Sequence, residues 1–120
     1  MESTCKFSIV ILTYNRADRV LQHVEKLSAL IGEGVEIIFV DNCSDISVAE
    51  LIDNEKFVVV RNNINYGAVG RNRGIERARG DFIITLDDDV YGITKQHLSE
   101  IELIFRDQTV SAINFSARVS

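Results

Sequence analysis

Four short apolar blocks, separated by segments of a different period, most constrain what this chain can fold into. Residues 7–12 (Phe-Ser-Ile-Val-Ile-Leu), 35–40 (Val-Glu-Ile-Ile-Phe-Val), 57–60 (Phe-Val-Val-Val) and 81–86 (Asp-Phe-Ile-Ile-Thr-Leu) are rich in β-branched residues. Runs that are apolar almost throughout suit strands buried on both faces, as in parallel sheets covered by helices. The segments between them read as helices. Over residues 17–31, Val20, Leu21, Val24, Leu27 and Ile31 recur at helical spacing, and Gly32 and Gly34 stop the helix. Ser47 is placed to cap a short helix running to about Asp53. Residues 67–79 are small and basic and read as a helix closed by Gly80. Residues 94–106 form another, with Leu98, Ile101, Ile104 and Phe105 facing inward, and residues 110–115 are a candidate fifth strand. This alternation predicts an α/β fold, a Rossmann-like parallel sheet with helices on both faces. Right-handed crossovers limit the strand orders and lead to 3-2-1-4 for the first four, plus the fifth strand.

Composition narrows the class. A chain of 120 residues is one domain or part of one, and its 46% apolar and 26% charged residues exclude a disordered chain. No apolar run approaches the roughly 20 residues of a membrane span, so no transmembrane segment is expected. The net charge of −5 argues against a protein that coats nucleic acid. Cys5 precedes the first strand and Cys43 follows the second, so parallel strands put the thiols at opposite ends of the sheet. A six-residue strand is about 20 Å long, well beyond the roughly 7 Å that a disulfide allows. Free thiols, and a start (Met1-Glu2-Ser3-Thr4-Cys5-Lys6) without the pattern of a signal peptide, predict a cytoplasmic location. Two cysteines and two widely spaced histidines do not make a zinc site. His23 and His97 lie in helical patterns and are expected on the surface.

The unusual polar residues gather at strand ends. The first strand runs into Thr13-Tyr14-Asn15-Arg16, the second into Asp41-Asn42, and the third leads to Asn62-Asn63-Ile64-Asn65-Tyr66-Gly67. The fourth runs into Asp87-Asp88-Asp89. In an open α/β sheet, ligands bind outside the carboxyl ends of the strands, and the order 3-2-1-4 would join these clusters into one rim. Each cluster has a plain structural alternative. Tyr14-Asn15 could turn the chain and cap a helix, or offer an aromatic face to a flat ring. Asp41 could close an Asx turn, or accept from a base or ribose. Gly67-Ala68-Val69-Gly70-Arg71-Asn72-Arg73-Gly74 could pack a helix closely on the sheet, or let backbone and arginine approach an anion. The acidic triplet is harder to explain structurally. Three adjacent carboxylates repel one another, and magnesium or manganese, which takes a few carboxylates together with phosphate oxygens, would relieve them.

Four segments in order carry a resemblance. They are Ser8-Ile9-Val10-Ile11-Leu12-Thr13-Tyr14-Asn15-Arg16; Ile37-Ile38-Phe39-Val40-Asp41-Asn42-Cys43-Ser44; Asn65-Tyr66-Gly67 with Gly70-Arg71-Asn72-Arg73-Gly74; and Gly80-Asp81-Phe82-Ile83-Ile84-Thr85-Leu86-Asp87-Asp88-Asp89. Over about residues 6–92 the chain resembles the nucleotide-binding half of GT-A glycosyltransferases of family 2. The resemblance implies a site for a nucleoside-diphosphate sugar built from Thr13, Tyr14, Asn15, Arg16, Asp41, Asn42, Gly67, Arg71, Asn72, Asp87 and Asp88. Tyr14 would lie against the base, Asp41 would hydrogen-bond it, and Arg71 would lie near the nucleotide. The triplet resembles the family's Asp-x-Asp motif, which holds Mg2+ or Mn2+ on the diphosphate. Asp87 and Asp89 fit that pattern, while the register of some relatives would put the metal carboxylate at Asp88. Asp89 is favoured as ligand, with Asp87 as a second ligand or a sugar contact.

The implied reaction moves a sugar to an acceptor hydroxyl, on a saccharide or a lipid-linked acceptor that the sequence does not identify. In inverting family members the carboxylate base lies well downstream of this motif. Here only residues 90–120 follow it, and Glu100 and Glu102 read as solvated helix residues. The expectation is therefore one donor-site domain over residues 1–120, cut before the acceptor-binding half, with no catalytic residue assigned. Such a chain is expected to self-associate through an exposed strand edge. Alternatives are a non-catalytic nucleotide-binding module left from a transferase, or a nucleotidyltransferase-like enzyme. The latter class carries its glycine- and arginine-rich loop after the first strand, where this chain has Thr13-Tyr14-Asn15-Arg16. A phosphoacceptor receiver domain would instead place its acids at the end of the first strand.

Overall fold

Each of the four apolar blocks becomes a strand in the computed structural model, which describes residues 5–32 and 34–106. The strands are β1 (Phe7–Thr13), β2 (Val35–Asp41), β3 (Val58–Arg61) and β4 (Phe82–Asp87). The helices are α1 (Ala17–Leu27), α2 (Val48–Leu51), α3 (Arg71–Arg77) and α4 (Lys95–Phe105). All strand pairs are parallel and the order is β3-β2-β1-β4, as the crossover rule predicts. The expected fifth strand at residues 110–115 lies outside the described residues.

Side chains alternate between the two faces of the sheet. On one face Phe7, Ile9, Ile11, Val35, Ile37, Phe39, Ile84 and Leu86 form a single core with Val20 and Leu27 of α1, Val48 of α2, and Leu98 and Ile101 of α4. On the other face Val10, Ile38 and Val40 are fully buried, with Leu12, Val58, Val60 and Ala78 around them. Helix α3 covers this second face, and Gly74 lets it sit close. A Cβ there would overlap the methyls of Val40 and Val10. Each fully buried aliphatic or aromatic side chain contributes about 1.5–3 kcal/mol.

The register makes the rim level. Thr13 pairs with Asp41, Leu12 with Asp87, and Asp41 with Arg61. Sequence order thus becomes one row of polar residues at the carboxyl end. The opposite end is closed by Glu36, which is buried. Its carboxylate accepts from Ser8 Oγ (2.6 Å), the Arg79 N–H (2.6 Å) and Arg79 Nε (3.3 Å). Ser8 Oγ in turn accepts from the Gly80 N–H.

Several expectations change in detail. The first helix ends at Leu27 and tightens into a 3-10 turn, Ser28–Leu30, before the glycines. The small-residue segment divides into a 3-10 turn, Gly67–Gly70, and α3, because its glycines hold a helix poorly. Ile104 is 42% exposed rather than inward, and α4 buries only Leu98 and Ile101 fully. His23 is not a surface residue: it is 1% exposed. The inward row of α1 runs Val20, His23, Leu27, steps of three and four that place the imidazole on the core face. Its ring lies 4.5 Å from that of Tyr91 and edge-on to Phe39 at 6.5 Å. His97 is half-buried and completes a capping box with Thr94 at the start of α4. Both cysteines are free and half-buried. Among the described residues, no helix is long and apolar enough to cross a membrane.

Candidate functional site

At the carboxyl end of the sheet, an open cleft of about 420 Å³ is lined by Thr13, Tyr14, Asn42, Asn65, Gly67, Arg71 and Asp87 to Asp89, with Leu12 at its floor. Strand ends, the loops that follow them and the first residue of α3 form its walls.

Asn42 organises the wall that follows β3. Its Nδ2 donates to Asn65 Oδ1 (2.8 Å) and to the Gly67 carbonyl (3.0 Å). Its Oδ1 accepts from Asn62 Nδ2 (2.9 Å) and the Tyr66 N–H (3.2 Å). A buried amide that meets four partners sets the path of its neighbours. Gly70 is required here because a Cβ would stand 2.5 Å from Asn42 Oδ1. The glycines at 70 and 74 therefore serve close packing, and Gly67 takes a left-handed φ of +62° with open space beside it.

Asp41 lies beneath the cleft and is fully buried. Its Oδ1 accepts from the Ser44 N–H (2.8 Å), and its Oδ2 from the Val48 N–H (2.9 Å) and Arg61 Nη1 (2.8 Å). The carboxylate thus closes the loop after β2 through N–H groups three and seven residues on, and adds an ion pair with Arg61. Asn15 adopts φ +51°, which asparagine tolerates. Its Oδ1 accepts from the Asp45 N–H (2.7 Å), tying the turn after β1 to the loop after β2. It turns the chain but does not cap α1, whose first flanking residue is Arg16, with no side-chain cap. Asn15 and Arg16 line a smaller neighbouring pocket of about 260 Å³ with Ser44, Asp45 and Ile46. Asn72 is exposed and lines neither pocket.

The acidic triplet divides by environment. Asp87 pairs with Arg71 Nη2 at 2.8 Å and its side chain is 70% exposed. Asp88 turns inward, and its carboxylate accepts from Arg19 Nη1 (2.8 Å) and Thr13 Oγ1 (3.3 Å). Asp89 is exposed, and its carboxylate accepts no hydrogen bond among the described residues. Arg71 Nε is buried and without an acceptor, so the guanidinium beside Asp87 keeps unused donor capacity. Tyr14 completes the rim, 44% exposed with its ring available.

The described residues contain no group of three or more Asp, Glu, His or Cys arranged to hold a metal ion alone. The donor set instead fits a hard cation bound by one or two carboxylates together with oxygens of a ligand. All three carboxylates line the cleft, and Asp87 and Asp89 are the exposed two.

The structure therefore brings together Thr13, Tyr14, Asn42, Gly67, Arg71, Asp87, Asp88 and Asp89, and leaves Asn15, Arg16, Asp41 and Asn72 outside the cleft wall. Sequence reasoning put Asn65 in a rim cluster without assigning it to the site, and it missed Arg19 and His23, which contact Asp88. The signal for the latter pair was their spacing of four on α1, which puts both on one side of the helix.

The chain matches the family described as glycosyl transferase family 2 over residues 8–112. It is 31% identical over 107 residues to the UDP-Glc:alpha-D-GlcNAc-diphosphoundecaprenol beta-1,3-glucosyltransferase WfaP of Escherichia coli, covering 82% of this chain and 43% of that protein. It is 33% identical over 107 residues to the amylovoran biosynthesis glycosyltransferase AmsB of Erwinia amylovora, covering 80% and 36%. The chain thus spans less than half the length of these curated relatives. Among solved structures, S. aureus TarS 1-349 in complex with UDP superposes with a TM-score of 0.71 at 23% identity, over 87% of this chain and 33% of that one. The mannosyltransferase PcManGT from Pyrobaculum calidifontis, in complex with GDP-Man and Mn2+, gives 0.74 at 16% identity, over 90% and 34%. At these identities the superpositions establish the shared fold.

Proposed function

The chain belongs to glycosyl transferase family 2, and from that premise we propose that its rim is the donor site of a sugar transferase. The observation that carries this reading is the convergence of Tyr14, Arg71, Asp87 and Asp89 on one open cleft at the carboxyl ends of parallel strands. A nucleoside-diphosphate sugar spans the cleft. Tyr14 lies against the base, while Thr13, Asn42 and Gly67 line the nucleoside. Asp41 anchors the turn beneath the base, a role supported by its burial and its three internal partners. Arg71 faces the diphosphate, a placement supported by its unused buried donor. Asn15 acts from outside the cleft wall, by tying the loops after β1 and β2 together, and Arg16 and Asn72 also lie outside that wall.

Asp89, with Asp87, holds a divalent cation, Mg2+ or Mn2+; the Mn2+ and GDP-Man complex of a structural neighbour supports the choice of ion. When bound, such an ion offsets charge that develops on the departing diphosphate. Arg71 would exchange part of its pairing with Asp87 for the ligand. The names of relatives and neighbours include UDP-Glc, UDP-GlcNAc and GDP-Man, so the donor class is a nucleotide sugar with its base unassigned. The acceptor is a hydroxyl on a saccharide or a lipid-linked saccharide, the second supported by the diphosphoundecaprenol substrate in one relative's name.

Neither Glu100 nor Glu102 is placed to serve as base for that hydroxyl. Glu102 pairs with Lys6, which precedes β1 at the far end of the sheet. The seven residues of β1 separate that end from the cleft, about 23 Å at the usual strand rise. Glu100 is exposed and accepts from Gln96 within α4. The 120 residues alone are therefore proposed to bind donor without efficient turnover.

Calorimetric titration of the chain with UDP, GDP and dTDP, each with and without Mn2+, tests the site. One nucleotide is expected to bind at least about tenfold tighter with metal, a difference near 1.4 kcal/mol. Asp89→Ala should remove that gain. Equal binding with and without Mn2+ would refute the role given to Asp87 and Asp89, and robust sugar transfer by these residues alone would refute the missing base.

A further inference from the structure

All three carboxylates of the triplet line the cleft, but Asp88 differs from its neighbours in being held from α1. The turn that carries them is closed by the Val90 N–H donating to the Asp87 carbonyl at 3.0 Å. Within it, Asp88 is held by three groups on two different elements. Arg19 Nη1 and Thr13 Oγ1 take its two carboxylate oxygens. His23 Nε2 lies 3.0 Å from its backbone carbonyl.

We propose that Arg19 and His23 are positioning residues that clamp Asp88 to α1, so that the turn presents Asp87 and Asp89 to the cleft. A carbonyl oxygen only accepts, so His23 carries its proton on Nε2. The ring cannot swing away, because it is buried against Phe39 and Tyr91. Tyr91 follows the triplet and is itself covered by Lys26, whose Nζ stands 5.9 Å from the ring centre. Arg19, His23 and Lys26 thus form a row on α1, at steps of four and three, that meets residues 88 to 91. Arg19 also places a positive charge on Asp88, a pair more buried than that of Arg71 with the exposed Asp87. The half-buried state of this pair, with side chains 33% and 17% exposed, sets it apart from a loose surface contact.

The first arm of the test needs no ligand. Amide hydrogen exchange is measured at Val90 and through β2 in the wild type, His23→Leu, His23→Gln and Arg19→Met. Gln offers an N–H near the place of Nε2. Exchange at Val90 is expected to rise at least about tenfold in His23→Leu and in Arg19→Met. It should return toward wild type in His23→Gln, with β2 unchanged in all. Unchanged exchange at Val90 in both His23→Leu and Arg19→Met overturns the clamp. Should His23→Leu not fold, Arg19→Met carries this arm alone.

The second arm rests on the donor-site reading. It measures UDP affinity with and without Mn2+ in the same variants, or the affinity for whichever diphosphate the wild type binds. Loss of the Mn2+-dependent gain in His23→Leu and Arg19→Met, with metal-free affinity kept and the gain restored in His23→Gln, supports the clamp. A uniform loss in both conditions overturns it in favour of a general packing role. A wild type that shows the exchange pattern but binds no nucleotide keeps the clamp and removes the donor-site reading.

Discussion

The two ends of the sheet use the same ingredients to opposite effect. At the amino end, buried Glu36 accepts from Ser8 and twice from Arg79, and Gly80 packs tightly against β1, where a Cβ would meet the Ser8 backbone nitrogen at 2.6 Å. Its hydrogen-bond needs are met inside the chain. At the carboxyl end, acids and arginine also pair, yet capacity is left over. Asp89 has no hydrogen bond among the described residues, Arg71 Nε lacks an acceptor, and the Asp87–Arg71 pair is open to water. An acid whose partners are all internal stabilises a fold. An acid with unused valence beside unused donors is a place for something else.

The contrast can be broken from either side. Glu36→Ala strands the donors of Ser8 and Arg79, and should lower stability by about 2–3 kcal/mol in a urea titration. Nucleotide affinity at saturating folded protein should stay constant, and a matching loss of affinity would erase the distinction between the ends. Asp89→Asn should do the reverse. Its effect on stability stays within about 0.5 kcal/mol, while the Mn2+-dependent gain in affinity, near 1.4 kcal/mol for a tenfold change, disappears.

A smaller effect follows from titration. Burial raises the Glu36 carboxyl, but the hydrogen bonds from Ser8 and Arg79, with the charge of Arg79, outweigh it and hold the group below its ordinary range. A folded-state value below the unfolded one means stability that is present above about pH 4.3 and is lost as pH falls through the lowered folded value. Urea midpoints measured from pH 7 down to about pH 3 should fall in that window. Glu36→Gln should flatten this part of the curve, and an identical profile in the variant would remove Glu36 as a cause. The smallest expected effect is association. β4 is the last strand of the sheet among the described residues, with Ile83 43% exposed on its outer face. Light scattering should show weight-average mass rising with concentration, and a constant monomer mass would count against pairing at that edge.

The strands and their order were legible because buried parallel strands write themselves as apolar runs, and crossover handedness does the rest. The rim was legible for the same reason, since residues just past such runs must lie at one end. Individual roles were harder. Asp41 carried two readings, and only its internal partners show that it closes a turn. The position of His23 was written in the steps Val20, His23, Leu27, but a polar residue on an apolar stripe is easily assigned to the wrong side. Nothing local to Asp88 indicates that it differs from Asp87 and Asp89. Its distinction comes from Arg19, 69 residues earlier, through the tertiary fold.

Gly74 has an effect beyond packing. It seats α3 directly on Val10 and Val40, and Arg71 lies one turn earlier on that helix. The reach of the guanidinium toward β4 is therefore gauged by how high the helix rides on the sheet. A single added methyl at Gly74, or a longer side chain at Val40, would act like a shim. It would change the calibration of the rim without altering any residue in it.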